Sequence, residues 1–241
     1  MAIDGRQHIL AIGGIGSPLS QREPLPGLIE HALSLSGAVT PRVCVLNTAN
    51  GDDLGSYLRF YARLSQHGAR VSHLQLFTMP NVDDPEDLLL SQDVIFAGGG
   101  SVANMVAVWR VHGIDRIMRS AWESGVVLAG VSAGAICWFD GGTTDSFGPV
   151  LRPFTAGLGL LPGSYCPHYS SEPARRPTFQ SLVADGTLPA GVACDDGAAA
   201  HFTDTELTAI VAARDGATGY LVEPDGSGGS TERPLTPVLL P

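Results

Sequence analysis

Residues 125–139 read GVVLAGVSAGAICWF. Val126 to Ala129, with Val131, form the kind of apolar run that a strand buried on both faces requires. One hydroxyl, Ser132, breaks the run between Gly130 and Gly134, and a second apolar run follows. The spacing G-x-S-x-G fits a tight turn from strand into helix, in which the glycines admit neighbouring chain and the serine Oγ stands at the strand's C-terminal end. A helix starting at Ala133 would point its first amides at the same spot. Small residues in this pattern also serve plain strand–helix packing. The strand before and the apolar segment after make Ser132 a candidate nucleophile.

Working outward, apolar runs at His8–Ile12, Arg42–Leu46, Arg70–Leu76 and Asp93–Ala97 precede this one. Helical stretches at Pro26–Ser36, Asp53–Gln66, Val102–His112 and Ile114–Ser124 alternate with them. The alternation predicts an α/β fold, a mostly parallel sheet flanked by helices. In the helix from Asp53, the spacing of Leu54, Leu58, Tyr61 and Leu64 predicts the inward face. Residues 140–167 hold six glycines and four prolines, too many for a long regular element. After a helix near Pro173–Val183, strand-like pieces at Gly191–Cys194, Ala199–Phe202, Leu207–Ala212 and Tyr220–Val222 read as a β meander finishing the sheet. Residues 223–233, EPDGSGGSTER, read as an exposed hairpin or flexible loop. With no repeat or linker, residues 1–241 are read as one domain.

Composition excludes several functions. A net charge of −10 argues against nucleic-acid binding, which needs a basic stripe. All fourteen basic residues are arginine, so no lysine is there to form a Schiff base or a P-loop. Cys44, Cys137, Cys166 and Cys194 form no CxxC pair, and they read as buried free thiols of a reducing compartment. MAIDGRQHILAIGG lacks the pattern of a secretory signal, and no apolar window is long enough to span a membrane. The expectation is a cytoplasmic protein that needs no cofactor and no metal, with a homodimer left open.

A serine nucleophile needs a base, and the base needs an orienting carboxylate. Of seven histidines, His168 in GSYCPHYSSEP lies in a loop bounded by glycine and proline, where a side chain can face a cleft. His201 in AAAHF is the competitor, although it reads as strand interior. Asp195 and Asp196 end a predicted strand in CDDG, and only one of the two can face a site. A DG turn without chemistry is the plain alternative. Asp145 in GGTTDSFGP is a third acid. Ser132, His168 and Asp196 run in an order unlike the Ser–Asp–His of α/β-hydrolases.

In FAGGGSVANM, residues 96–105, a strand enters three glycines and a helix leaves with Ser101 as a candidate N-cap. Amides at Gly99 and Gly100, with that of Ala133, are candidate oxyanion donors. Neither this run nor Gly13-Gly14-Ile15-Gly16 has the G-x-G-x-x-G spacing of a nucleotide site.

FAGGGSVANM, AGVSAGAICWF, GGTTDSFGP, CPHYSSEPARRP and CDDGAA, in this order over about residues 96–200, resemble the peptidase E family of serine peptidases. These are relatives of cyanophycinase with a class I glutamine amidotransferase-like, flavodoxin-like three-layer fold. The resemblance implies Ser132 as nucleophile, His168 as general base, and Gly100 and Ala133 as oxyanion donors. Asp196 stands where the family carries a glutamate, so its side chain is one methylene shorter and must sit closer. Peptidase E cleaves dipeptides with an N-terminal aspartate, helped by an arginine downstream of the histidine. Arg175 and Arg176 lie in the similar region, as substrate-binding candidates with Asp145. The function expected is a serine peptidase for small peptides. A cyanophycinase-like amide hydrolase and a non-catalytic binding domain are the alternatives.

Overall fold

A computed structural model describes residue 2, residues 4–15 and residues 25–241. The Gly16 part of the glycine run lies outside the described residues. In chain order the first half runs β1 His8–Ile12, α1 Leu25–Leu35, β2 Arg42–Leu46, α2 Leu54–Gln66, β3 Arg70–Leu74, α3 Pro85–Leu90, β4 Val94–Ala97, α4 Val102–His112, α5 Ile114–Glu123 and β5 Val127–Val131. The second half continues with α6 Ala133–Ile136, β6 Phe139–Thr144, β7 Arg152–Phe154, β8 Leu161–Cys166, α7 Arg175–Ala184, β9 Gly191–Cys194, β10 Ala198–Thr203, β11 Glu206–Ala212, β12 Gly219–Pro224, β13 Ser230–Leu235 and β14 Pro237–Leu239.

An eight-stranded sheet in the order β14-β11-β10-β1-β5-β4-β2-β3 carries the parallel strands at its centre and one side. Its alternating side chains feed two cores. Leu10, Ile12, Val43, Val45 and Phe96 meet α1 and α2 on one face. Ile9, Cys44, Leu46, Ile95 and Leu128 meet α3, α4 and α5 on the other. Burial on both faces explains why β4, β5 and β1 beyond His8 are apolar runs. The result is the α/β class expected.

Three readings change. The inward face of α2 is Tyr57, Phe60 and Leu64, whereas Leu54 and Leu58 are 65% and 71% exposed. Asp53 caps the helix by accepting from the Ser56 amide, and the sheet then selects a stripe rotated from the one that counting leucines gives. Short α3 was not foreseen, although Asp84 caps it and Pro85 opens it. The glycine-rich passage holds three short strands, in keeping with its lack of a long regular element, whereas the meander is divided between two sheets. The hairpin β10–β11 extends the main sheet, whereas β9 and β12 join a second sheet in the order β13-β12-β9-β8-β6-β7. Residues 223–233 turn between β12 and β13.

His201 of β10 contacts two other histidines. Its Nε2 lies 3.0 Å from His8 Nδ1, and the His31 ring of α1 meets it edge-on at 5.2 Å between centroids. Asp4 Oδ1 takes the other His8 nitrogen at 2.9 Å. Burial, then the charges of His31 and His8, pushes His201 down to about 4. Burial and the charge of His8 lower His31 as well. An unfolded histidine protonates near pH ~6.5, so below that the unfolded chain binds more protons than the folded one. Stability is therefore lost as pH falls from about 6.5 towards 4, by on the order of 2–3 kcal/mol from His201. Urea midpoints measured across this window are expected to fall in the parent and to fall less in His201→Gln; equal slopes would remove His201 as the cause.

Candidate active site

Parallel strands β1, β2, β4 and β5 end on one edge, where open α/β sheets leave a crevice. β5 delivers Ser132, whose backbone has φ 55° and ψ −114°. The Ser132 carbonyl accepts from the amides of Ala135 and Ile136 at 2.9 and 3.0 Å, starting α6 at once. Such a sharp turn brings Gly134 against the end of β4, where a Cβ would overlap the Ala97 carbonyl oxygen.

Three consecutive carbonyls at the exit of β1 hold the three segments that converge here. Ile12 O accepts from the Ser132 amide at 3.1 Å, Gly13 O from His168 at 3.2 Å, and Gly14 O from Gly197 at 2.8 Å. His168 follows β8 with φ 55°, and Asp196 follows β9. Their side chains form one hydrogen-bonded chain. Ser132 Oγ lies 2.9 Å from His168 Nε2, and His168 Nδ1 lies 2.7 Å from Asp196 Oδ1. Burial alone would raise the Asp196 carboxyl, but the hydrogen bond and charge of His168, with help from Ser171 and Arg214, hold it below the ordinary carboxylate range. Asp196 therefore stays ionised and fixes the His168 proton on Nδ1, leaving Nε2 to accept from the serine.

Gly14 sits against this chain: a Cβ there would overlap Asp196 Oδ1 and lie 2.5 Å from His168 Nδ1. Gly14→Ala is expected to push the imidazole off line. If the site is catalytic, kcat should fall about 100-fold, the cost of roughly 1 Å of misplacement. Steady-state rates on protein with an unchanged circular dichroism spectrum check this, and an unaltered kcat would show that the imidazole position is not critical.

A cleft of about 300 Å³ opens over Ser132 and His168, with Gly99, Gly100 and Val131 in its wall. That volume is at the small end for ligand sites. Among the described residues, the Gly100 and Ala133 amides find no acceptor. Two arginines of α2, Arg59 and Arg63, also line the cleft.

The other candidates are placed elsewhere. Asp195 faces away from His168, accepting from the Thr218 amide at 3.1 Å and the Tyr220 hydroxyl at 3.4 Å. Strand alternation separates it from Asp196, as expected for neighbours. Arg175 is buried, donating to Glu172 at 2.7 Å and to the Thr143 carbonyl at 2.9 Å, with exposed Asp145 4.0 Å away. Arg176 is held between the Tyr169 and Tyr220 rings, 4.8 and 4.7 Å from their centroids, and donates to Glu232 at 2.8 Å. Arg175, Arg176 and Asp145 do not line the cleft. Partners within the fold occupy both guanidiniums. His201 belongs to the histidine cluster and not to the cleft.

Sequence reasoning missed Arg59, Arg63 and the Gly13–Gly14 support. The arginines had a signal: spaced i,i+4 on a helix that follows a parallel strand, they flank the stripe of Tyr57, Phe60 and Leu64. The glycines act through backbone carbonyls, which carry no side-chain signature.

The model of peptidase family S51 matches residues 9–210. The chain is 42% identical over 216 residues to the uncharacterized peptidase YgaJ of Bacillus subtilis strain 168, covering 90% of this chain and 92% of that protein. It is 29% identical over 112 residues to peptidase E of Shewanella denitrificans, covering 46% and 48% of the two chains. Among solved structures, a peptidase from an acI-B1 actinobacterium superposes with a TM-score of 0.67 at 18% identity, covering 96% of this chain and 95% of the other. A putative peptidase E protein from Listeria monocytogenes EGD-e gives a TM-score of 0.62 at 14% identity, covering 96% and 100%.

Proposed function

Because the chain belongs to peptidase family S51, we propose that it is a serine peptidase cleaving small peptides with an acidic N-terminal residue through an acyl-enzyme on Ser132. One observation above all supports the reading: the unbroken hydrogen-bonded chain from Ser132 through His168 to Asp196, at 2.9 and 2.7 Å, opening into a cleft.

Ser132 Oγ attacks the peptide carbonyl while His168 Nε2 takes the hydroxyl proton. Asp196 stabilises the imidazolium that results. Charge developing on the carbonyl oxygen is met by the amides of Gly100 and Ala133. When the tetrahedral centre collapses, the C–N bond breaks and the amine leaves with the proton from His168. Water, deprotonated by the same nitrogen, then attacks the ester and releases the acid and the serine.

A fluorophosphonate probe is expected to label Ser132 in the folded protein, with the adduct mapped by mass spectrometry and absent from Ser132→Ala. In parallel, a dipeptide library with β-linked Asp–Arg among its members reports the substrate. Preferred cleavage of the β-linked member would move the reading to a cyanophycinase-like amide hydrolase. A folded protein that neither labels nor cleaves any member would overturn the enzyme reading.

A further inference from the structure

The cleft wall carries an unusual charge. The chain as a whole has 24 acidic and 14 basic residues. Among the described residues lining the cleft stand two arginines, Arg59 and Arg63, and no aspartate or glutamate. Both come from α2, one turn apart, so their guanidiniums project from the same side of that helix. The cleft wall thus offers two guanidiniums to a ligand and, among its described lining residues, no carboxylate to repel an anion.

The nearest acid to Arg59 is Asp53, with Nη2 and Oδ2 3.8 Å apart and both side chains more than half exposed. A contact so long and so wet is worth little, and a ligand carboxylate can replace it. Asp53 is in any case engaged as helix cap by the Ser56 amide at 2.7 Å. Compared with the Arg59 contact to Asp53, Arg175 and Arg176 are held by shorter bonds, 2.7 Å to Glu172 and 2.8 Å to Glu232.

We infer that Arg59 and Arg63 form the specificity clamp of this cleft, binding a carboxylate of the peptide from the α2 side. The inference rests on the serine peptidase reading for the identity of the ligand. A small peptide offers two such groups, the side chain of an acidic first residue and the C-terminal carboxylate. Guanidinium forks suit either, because each presents paired donors to a planar pair of oxygens.

The test is binding in Ser132→Ala protein, so that it does not depend on turnover. Calorimetric titrations use Asp-Leu, Asn-Leu, Asp-leucinamide and Asn-leucinamide. With both arginines present, one carboxylate is expected to improve affinity about 10- to 100-fold over its amide. Arg59→Gln and Arg63→Gln should each remove much of that preference, and the double variant all of it, leaving the amide forms within about twofold. Loss confined to Asp against Asn assigns the clamp to the first side chain; loss confined to acid against amide at the C-terminus assigns it to that end. A general loss of structure would weaken all four ligands alike and leave their ratios unchanged. Equal affinity for acids and amides in the parent, or an undiminished preference in the double variant, overturns the inference. Preference without hydrolysis by the wild type would keep the clamp and remove the peptidase reading, so the two failures are distinct.

Discussion

Ser132→Gly is expected to abolish peptide hydrolysis and at the same time to make the protein more stable. Loss of the nucleophile in Ser–His–Asp enzymes lowers kcat by about 10⁴- to 10⁶-fold, because what remains is binding and oxyanion stabilisation alone. The stability gain has a separate origin. At φ 55° and ψ −114°, Ser132 occupies a backbone region that side-chain-bearing residues avoid. Holding a non-glycine residue there costs on the order of 1–3 kcal/mol. Glycine relieves the strain but loses about 0.5–1 kcal/mol through the greater freedom of its unfolded chain. The net expectation is a gain of about 1 kcal/mol, or a rise in Tm of roughly 2–4 °C for a chain of this size. Ser132→Ala retains the strain and should be equally inactive at parental stability. Differential scanning calorimetry of the two variants separates the effects, and a Ser132→Gly protein melting below Ser132→Ala would refute the strain argument.

Asp196→Asn is expected to lower kcat about 10³- to 10⁴-fold with little change in KM. The 2.7 Å contact to His168 Nδ1 survives in length but changes in sense. An amide that turns its NH2 toward Nδ1 donates to it, which moves the imidazole proton to Nε2, where it opposes the serine hydroxyl. The substitution also has a stability arm. The folded carboxyl is held below its ordinary range, so its ionisation stabilises the fold in full above the unfolded pKa, and that stability is lost as pH falls from there through the folded pKa. Asp196→Asn should therefore be less stable than the parent at neutral pH, with the difference closing in acid. Kinetics at neutral pH and urea midpoints at two pH values check both parts. A variant within tenfold of parental kcat would show that Asp196 does not orient His168.

Much of this was legible in the sequence, for identifiable reasons. Strands such as His8–Ile12 and Arg42–Leu46 keep their bounds because, after a polar first residue, burial on both faces selects an apolar run. Gly113 stands out as the break between α4 and α5 because φ 72° favours glycine. Ser132 and His168 were readable as exceptions to their surroundings, a hydroxyl in an apolar run and a histidine in a proline-bounded loop. The second sheet was not readable, since strands such as Phe139–Thr144, FDGGTT, carry glycines for close approach to neighbours and not an apolar rhythm. Nor was the fate of Arg176 visible, because Tyr220 and Glu232 come from the β12–β13 hairpin, far along the chain. Helix α2 keeps the predicted bounds but turns Tyr57 and Phe60, not Leu54 and Leu58, toward the sheet. The same rotation brings Arg59 and Arg63 to the cleft.

The four cysteines have a practical consequence. All are buried; burial pushes Cys44, Cys166 and Cys194 up to about 12 and raises Cys137 as well. Thiol reagents react with the thiolate, so the closed molecule presents them with almost nothing. Every sulfur that is alkylated at neutral pH marks a chain that has opened, locally or completely. The protein thus carries its own gauge of opening, four markers distributed through both sheets and the α6 turn, with no label to be engineered into it.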